Sequence, residues 1–396
     1  METTKNRGLL FVIIYLAATT VSLSQLKIIP IMGDIAGSMG IDVANVSWLM
    51  SVFTVAGIIL AIPGAAILQK TGPKKLFMIL MAALVIGNLL GAVATNYTVL
   101  LISRMIEGIA FAMVIMNGIV FCGMWYPGNS MVVGIYTTFA SIGNVIVMNT
   151  VLPIVAKHGL KCPWYIVAAL AALFFVLIGI CIKEPKAEGA SGEAAAAPKV
   201  SIGEAFKSKP LLFLAIGQLC VGFILFTLMT IYPSIFTERC GLDAGAANFY
   251  AGLFGLFSIP FCILGGFIID KIGKASSVAL FSFVGMAIAS FLLPMLGQNM
   301  PAGYVLHTLF MACFTGMSLT AILSTAPMTM KNPALAGVAV AIVNMLYYIG
   351  IFIGTPITMN VAASSGWSAA SAVLGAIGVL GVIAILLYSS AAKKES

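Results

Sequence analysis

Along this chain apolar residues come in long continuous runs rather than in strand-like alternation, and short polar or glycine-containing breaks separate them. The runs predict helices at about Gly8 to Ile31, Trp48 through Pro63 to a basic segment, Leu76 to Ala94, Thr98 to Cys122, Met131 to Ala156 and Trp164 to Ile182. A second set follows at about Leu211 to Ile235, Ala246 to Ile269, Ser276 to Leu296, Ala302 to Ala326, Ala334 to Ala362 and Trp367 to Ser390. Gly33 to Asn45, carrying Asp34 and Asp42, reads as a loop. Each run has the roughly 20 apolar residues that a bilayer crossing needs, and the lack of alternation argues against a β-barrel. The expectation is an all-α membrane protein with twelve transmembrane helices.

One stretch recurs. Gly64 to Lys75 reads GAAILQKTGPKK and Gly265 to Lys274 reads GGFIIDKIGK, which sets Gly72 and Gly273 201 residues apart in a chain of 396. A unit used twice implies two pseudo-symmetric six-helix bundles, 1–182 and 210–396. The segment 183–209, charged and rich in Ala, Gly and Ser, reads as the cytoplasmic linker between them.

Composition agrees: 61% of residues are hydrophobic and 8% charged, against about 25% charged in soluble domains. A net charge of +8 would suit nucleic acid, but the placement of the basic residues argues otherwise. Fifteen of the twenty Lys and Arg, among them Lys70, Lys74, Lys75, Lys271 and Lys274, fall on one predicted side, and only Lys157, Lys161 and Arg239 on the other. That asymmetry predicts a multi-pass protein of the cytoplasmic membrane with both termini inside. The first run is too long for a signal peptide and reads as an uncleaved span. No motif for nucleophilic, metal or phosphate chemistry is present, so an enzyme is not expected. The seven cysteines lack metal-type spacing and imply neither metal nor cofactor. Cys162 and Cys240 both fall in predicted outer loops, where a disulfide is one reading.

The paired basic loops resemble the segment between helices 2 and 3 of the major facilitator superfamily, roughly G-x-L-x-D-R-x-G-R-R, and its weaker copy between helices 8 and 9. The second copy keeps Gly266, Asp270, Lys271 and Gly273; the first has Ala65 for the leading glycine and Gln69 for the aspartate. The resemblance implies two halves rocking about a central site, and a conformational gating role for Gly72, Lys74, Asp270 and Gly273. LLISRMIEG is similar to the family's helix 4 pattern, with Arg104 and Gly108 matching and Glu107 where glutamine is frequent. Drug exporters of the family show G-x-x-x-G-P-x-x-G-G in helix 5, whereas FASIGNVIVMNTVLP has Gly143 with no Gly-Pro after it. Gly143-Asn144 is similar to the opening in nitrate carriers, but their helix 2 and helix 8 arginines have no counterpart here.

Ionisable groups at membrane depth mark a substrate or ion path by default. Lys27 shares a helix face with Thr20 and Ser24, which reads as a polar stripe toward substrate or as an interfacial snorkelling lysine. Arg104 and Glu107 stand three apart and can pair. If both helices face one cavity, two positive charges against one negative favour an anion. Glu107 is then the proton-coupling candidate by elimination, with His307 as the alternative, 203 residues after Arg104. Asn144, Tyr232, Asn344 and Tyr348 fit a cavity lining, or plain interhelical hydrogen bonding.

The expected activity is transport of a small, carboxylate-like organic anion by alternating access, as proton-coupled uptake through a monomeric carrier in the lipid bilayer. A proton-driven efflux carrier for amphipathic drugs is the alternative, suited by 24 Phe and 22 Met. A non-transporting membrane sensor or assembly subunit is a third reading. Cysteine-accessibility labelling checks the sidedness: substitutions at Lys70 and Lys199 should label from inside and one at Lys157 from outside, and an outer Lys70 would overturn it.

Overall fold

The computed structural model describes residues 7–60, 63–126, 132, 135–136, 138–182, 205–330 and 335–395. The expected linker lies outside the described residues up to position 204, as do several positions between 127 and 137 where helix 5 was expected to begin.

The first predicted span is not one helix. Helix α1 (Arg7–Leu26) ends, a 3-10 turn covers Ile29–Ile31, and α2 (Met32–Met39) continues. Pro30 explains the break, because it has no N–H to give to the Leu26 carbonyl and its ring clashes there. The expected Gly33–Asn45 loop is thus largely the helix α2. Asp34 in its first turn complements the helix dipole, and Gly40 closes it with a left-handed φ of 64°.

The second span is also interrupted, into α3 (Val43–Val52), α4 (Val55–Leu60) and α5 (Gly64–Thr71). Next come α6 (Pro73–Val93), α7 (Tyr97–Trp125), α8 (Phe139–His158) and α9 (Cys162–Cys181). The second half contains α10 (Lys209–Glu238), α11 (Ala244–Ile272), α12 (Ala275–Leu292), α13 (Pro301–Thr325) and α14 (Ala336–Glu395).

Eleven stretches among the described residues are long and apolar enough to span a membrane. The last counts twice. Helix α14 is broken at Gly366, at φ 81° and ψ 171°. Gly350 packs on Leu219 while Ile385 packs on Gly217, two positions that are neighbours on α10. In a straight helix residues 350 and 385 would stand about 52 Å apart, so the chain doubles back at Gly366 and supplies spans eleven and twelve.

The repeat is visible at the level of single bonds. Gly72 donates its N–H to the Leu68 carbonyl at 2.9 Å and Gly273 to the Ile269 carbonyl at 2.7 Å, 201 residues apart in both donor and acceptor. Both glycines have positive φ, 75° and 67°. They end α5 and α11 at equivalent positions with different turns, ψ being 158° at Gly72 and 15° at Gly273, and an L side chain would strain either.

Two seams between the halves are lined with small residues or rings. In one, α3 and α4 pack on α14, with the Trp48 and Phe352 ring centroids 5.8 Å apart and Gly57 against the Tyr348 ring. In the other, α8 packs on α11: Gly252 lies against Met148 and Asn149, Gly255 against Asn144, and the Ser141 and Ser258 hydroxyls stand 3.3 Å apart. The glycines permit this approach, since no larger side chain fits at the seam.

The reversal at Gly366 gives a stability test. A Cβ there would meet open space, so Gly366→Ala changes only backbone strain. It should cost about 1–3 kcal/mol in thermal unfolding of the purified protein, whereas the neighbouring exposed Ser365→Ala should leave the transition unmoved.

Candidate functional site

Four of the predicted residues meet inside the first half. Lys27, Glu107, Arg104 and Ser24 are all buried. Lys27 Nζ lies 2.7 Å from Glu107 Oε2 and 2.7 Å from Asn88 Oδ1, with Ser24 Oγ further off at 3.2 Å. Arg104 and Ser24 donate to the same Glu107 Oε2, at 2.6 and 2.7 Å. Asn88 Nδ2 donates to Ser24 Oγ at 3.1 Å and to the Leu84 carbonyl at 2.8 Å. Lys27 Nζ also faces the Trp164 ring, 5.1 Å from its centroid. This cage joins α1, α6, α7 and α9.

Arg104 has a second task, set by the helix breaks. A helix that ends leaves its last carbonyls without partners, and within a bilayer no water replaces them. The Arg104 guanidinium donates to the Ser24 carbonyl at 2.6 Å and the Gln25 carbonyl at 2.7 Å, in the last turn of α1. Its Nε donates to the Leu49 carbonyl at 3.1 Å, in the last turn of α3. One planar fork of donors therefore caps two interrupted helices, and the Phe53 ring lies 4.3 Å from its central carbon. Gly108 packs on the Phe53 carbonyl, so the arginine's own helix sits close enough for the reach. Gly87 and Gly91 likewise bring α6 against Glu107 and Trp164.

The two cations expected to face a cavity are enclosed by protein in this conformation. Lys27 and Arg104 are 1% and 0% exposed and turned toward each other's partners. Lys27 is also not an interfacial anchor, because its ammonium is enclosed by protein. Thr20 stays apart, bonded at 2.9 Å to the Leu16 carbonyl of its own helix.

A second node occupies the equivalent place in the other half. The Tyr232 hydroxyl and His307 Nδ1 are 2.9 Å apart, and His307 Nε2 meets the Ala289 carbonyl at 3.0 Å. A carbonyl only accepts, so Nε2 carries the proton and Nδ1 of the neutral ring accepts from Tyr232. Tyr232, Ala289 and His307 follow Lys27, Asn88 and Arg104 by 205, 201 and 203 residues. The repeat has placed a charged node in one half and an uncharged one in the other.

Tyr348 belongs to an aromatic layer that crosses between the halves. Phe111 on α7 packs tilted on Phe53 at 5.5 Å and edge-to-face on Tyr348 at 5.9 Å and Phe226 at 6.3 Å, and Tyr347 extends the layer. Asn144 is buried on the α8 seam, and neither of its side-chain polar atoms has a hydrogen-bond partner among the described residues. Asn344 is half-buried on α14. Lys74 Nζ donates to the Gly179 carbonyl at 2.9 Å, in the last turn of α9, so it ties the basic loop to a helix end. The side chains of Gln69 and Asp270 lie outside the described residues. Cys162 and Cys240 are free thiols, not a disulfide. Asn88, Trp164 and Phe111 were not singled out in sequence; a lone asparagine amid the apolar run of α6 was the one available signal.

The Major Facilitator Superfamily family model matches residues 9–355. The chain belongs to this superfamily. Its members are transporters, which fits the twelve spans and the repeated halves. Among curated proteins the chain is 24% identical over 240 residues to the quinolone resistance protein NorA of Staphylococcus aureus (strain MRSA252), covering 59% of this chain and 61% of that one. The match thus spans about three fifths of that relative's length. Among solved structures, the fold is similar to a bacterial homolog of the human lysosomal transporter Spinster in an inward-facing and unoccupied conformation. That match has a TM-score of 0.75 and 15% identity, over 99% of this chain and 98% of the other.

The double cap predicts an asymmetry between variants. Arg104→Ala should reduce the yield of monodisperse protein in size-exclusion chromatography and destabilise it by about 3–5 kcal/mol, because Glu107 and three carbonyls lose donors in a buried site. Arg104→Lys should not restore it, since one ammonium cannot span both helix ends.

Proposed function

We propose that this protein is a proton-driven carrier that exports amphipathic organic molecules with a flat aromatic part across the cytoplasmic membrane. The observation that carries this reading is the layer of Phe53, Phe111, Phe226, Tyr347 and Tyr348. It is built from helices of both halves, so its rings must separate and repack when the halves rock. A flat apolar solute can replace lost ring contacts there without leaving any polar group stranded. The two cations that would recognise an anion are meanwhile engaged within one half. The similarity to a quinolone resistance protein is in keeping with this substrate class.

A second reading, uptake of a small organic anion with a proton, keeps one observation in its favour. Lys27, Arg104 and Glu107 carry two positive charges against one negative in a buried setting. That reading requires the node to open toward the path in another conformation. In both readings the carrier works as a monomer, with the basic loops inside.

Transport by inside-out vesicles from a panel of planar amphipathic dyes and small labelled carboxylates separates the two. Dye accumulation driven by a pH gradient is expected, with the carboxylates inert. Phe111→Ala and Tyr348→Ala should each weaken dye transport several-fold, up to about tenfold, given about 0.5–1.5 kcal/mol per aromatic contact. Accumulation of a carboxylate with no response to the dyes would favour the anion carrier.

A further inference from the structure

We propose that Lys27 is the residue that binds and releases the coupling proton, with Glu107 as its fixed counter-charge. This rests on the reading that transport is proton-driven with the solute held at the aromatic layer; the proton titration below tests it whichever solute is carried.

The first ground is the charge count of the node. Arg104 keeps its proton at any relevant pH, and it pairs with the single carboxylate, Glu107. The Lys27 charge is then the surplus one. Releasing its proton takes the node from +1 to neutral, whereas protonating Glu107 takes it from +1 to +2 in a buried site, the costlier direction. By position on the chain Glu107 is the obvious proton carrier; by the company it keeps, it is the anchor.

The second ground is the hydrogen-bond geometry around Nζ. A neutral amine has two N–H donors and one lone pair, and Lys27 has two short contacts to acceptors, Asn88 Oδ1 and Glu107 Oε2, both 2.7 Å. Its third contact is longer, 3.2 Å, and is to a hydroxyl, Ser24 Oγ. A hydroxyl can turn and donate. On deprotonation the N–H bond electrons stay on Nζ as that lone pair, the proton leaves to water, and Ser24 O–H rotates from Glu107 Oε2 to Nζ. Both protonation states thus find partners without moving a helix. The groups that face Nζ from the packed elements are Glu107 and Arg104 on α7, Asn88 on α6, the Trp164 ring on α9 and Ser24 on its own helix.

The third ground links the proton to the conformational cycle. Lys27 stands at the break between α1 and the Ile29–Ile31 turn, and that turn packs on α8 and across the interface on α10 of the other half. When the halves rock, the turn loses or gains its neighbour on α10. The residue beside it is the one whose enclosure then changes, which is what coupling of a proton to rocking requires.

Two measurements on the full-length protein test the assignment. In the first, purified carrier in detergent is titrated from mildly acidic to mildly alkaline pH with no solute present. Wild type should release one proton more per molecule than Lys27→Arg, which retains the charge and cannot give it up, and also one more than Lys27→Gln. In the second, proteoliposomes are assayed for pH-driven accumulation and for solute-for-solute exchange. Both variants should lose accumulation while keeping exchange, because exchange needs rocking and no net proton movement. Identical titrations of wild type and both variants, or pH-driven accumulation retained in Lys27→Arg, would overturn the proposal. Lys27→Gln guards against a misfolded Lys27→Arg, with monodisperse elution as the entry criterion. Should wild type show the extra proton yet accumulate none of the dyes, the export reading fails and the Lys27 assignment stands.

Discussion

The bilayer interior has no water to satisfy a broken helix, and the rest of the first half is arranged around that constraint. Pro30 interrupts α1 and a second interruption follows α3, exposing carbonyls of Ser24, Gln25 and Leu49. Arg104 answers all three with one side chain. A guanidinium introduced for that purpose brings a positive charge into the interior, and Glu107, one turn along the same helix, balances it. The arginine so often found at this place in the helix 4 pattern therefore has a reason here that involves no substrate. Breaks and arginine belong together: Pro30 interrupts helix 1, and the cap satisfies the carbonyls that the joints in helices 1 and 2 expose.

Seen across the pseudo-repeat, the two nodes separate scaffold from chemistry. Both halves knit the helix pairs equivalent to 1, 3 and 4 through a buried polar contact near the same depth. Tyr232, His307 and the Ala289 carbonyl do it without charge, so knitting alone does not require ions. The first half uses a lysine, an arginine and a glutamate where a neutral set would serve, and buried charges are costly. The caps account for Arg104 and Arg104 accounts for Glu107, so Lys27 is the one charge of the node that cohesion leaves without a reason, while His307 has a partner at each ring nitrogen.

Much of this was readable from sequence, for identifiable reasons. Span number and repeat follow from run lengths and from Gly72 and Gly273, because bilayer thickness limits a run and a positive φ at a helix end calls for glycine. The Arg104–Glu107 pair is local and so legible at a spacing of three. What sequence did not reveal is where α1 turns relative to α6 and α9. The polar stripe of Thr20, Ser24 and Lys27 was read as one face toward a cavity, yet Thr20 bonds its own backbone and Lys27 turns into the bundle, since Gly87 and Gly91 let α6 close over Glu107 and Trp164. Helix α2 was mistaken for a loop because glycine and aspartate signal loops when the helix dipole and a following Gly40 are left out of account. Phe111 was invisible, one apolar residue in a run of them, until packing brought it to the junction of the halves.

A continuous line of contacts joins the charged node to that junction. Lys27 and Arg104 share Glu107; Arg104 lies on Phe53; Phe53 packs on Phe111; and Phe111 meets Phe226 and Tyr348 of the other half. Proximity along such a line is not itself coupling, which needs an element with two arrangements that both ends bias. On the proton assignment proposed above, the interrupted α1 and α3 would serve as such elements: the guanidinium holds their ends, the turn after α1 packs on α10 and α3 packs on α14 of the opposite half. A change of charge at the node alters the hold on the caps, and a change of packing at the aromatic layer alters the position of Phe53 beside the same guanidinium. Proton and solute need never meet in one cavity for each to feel the other, provided both act on Arg104.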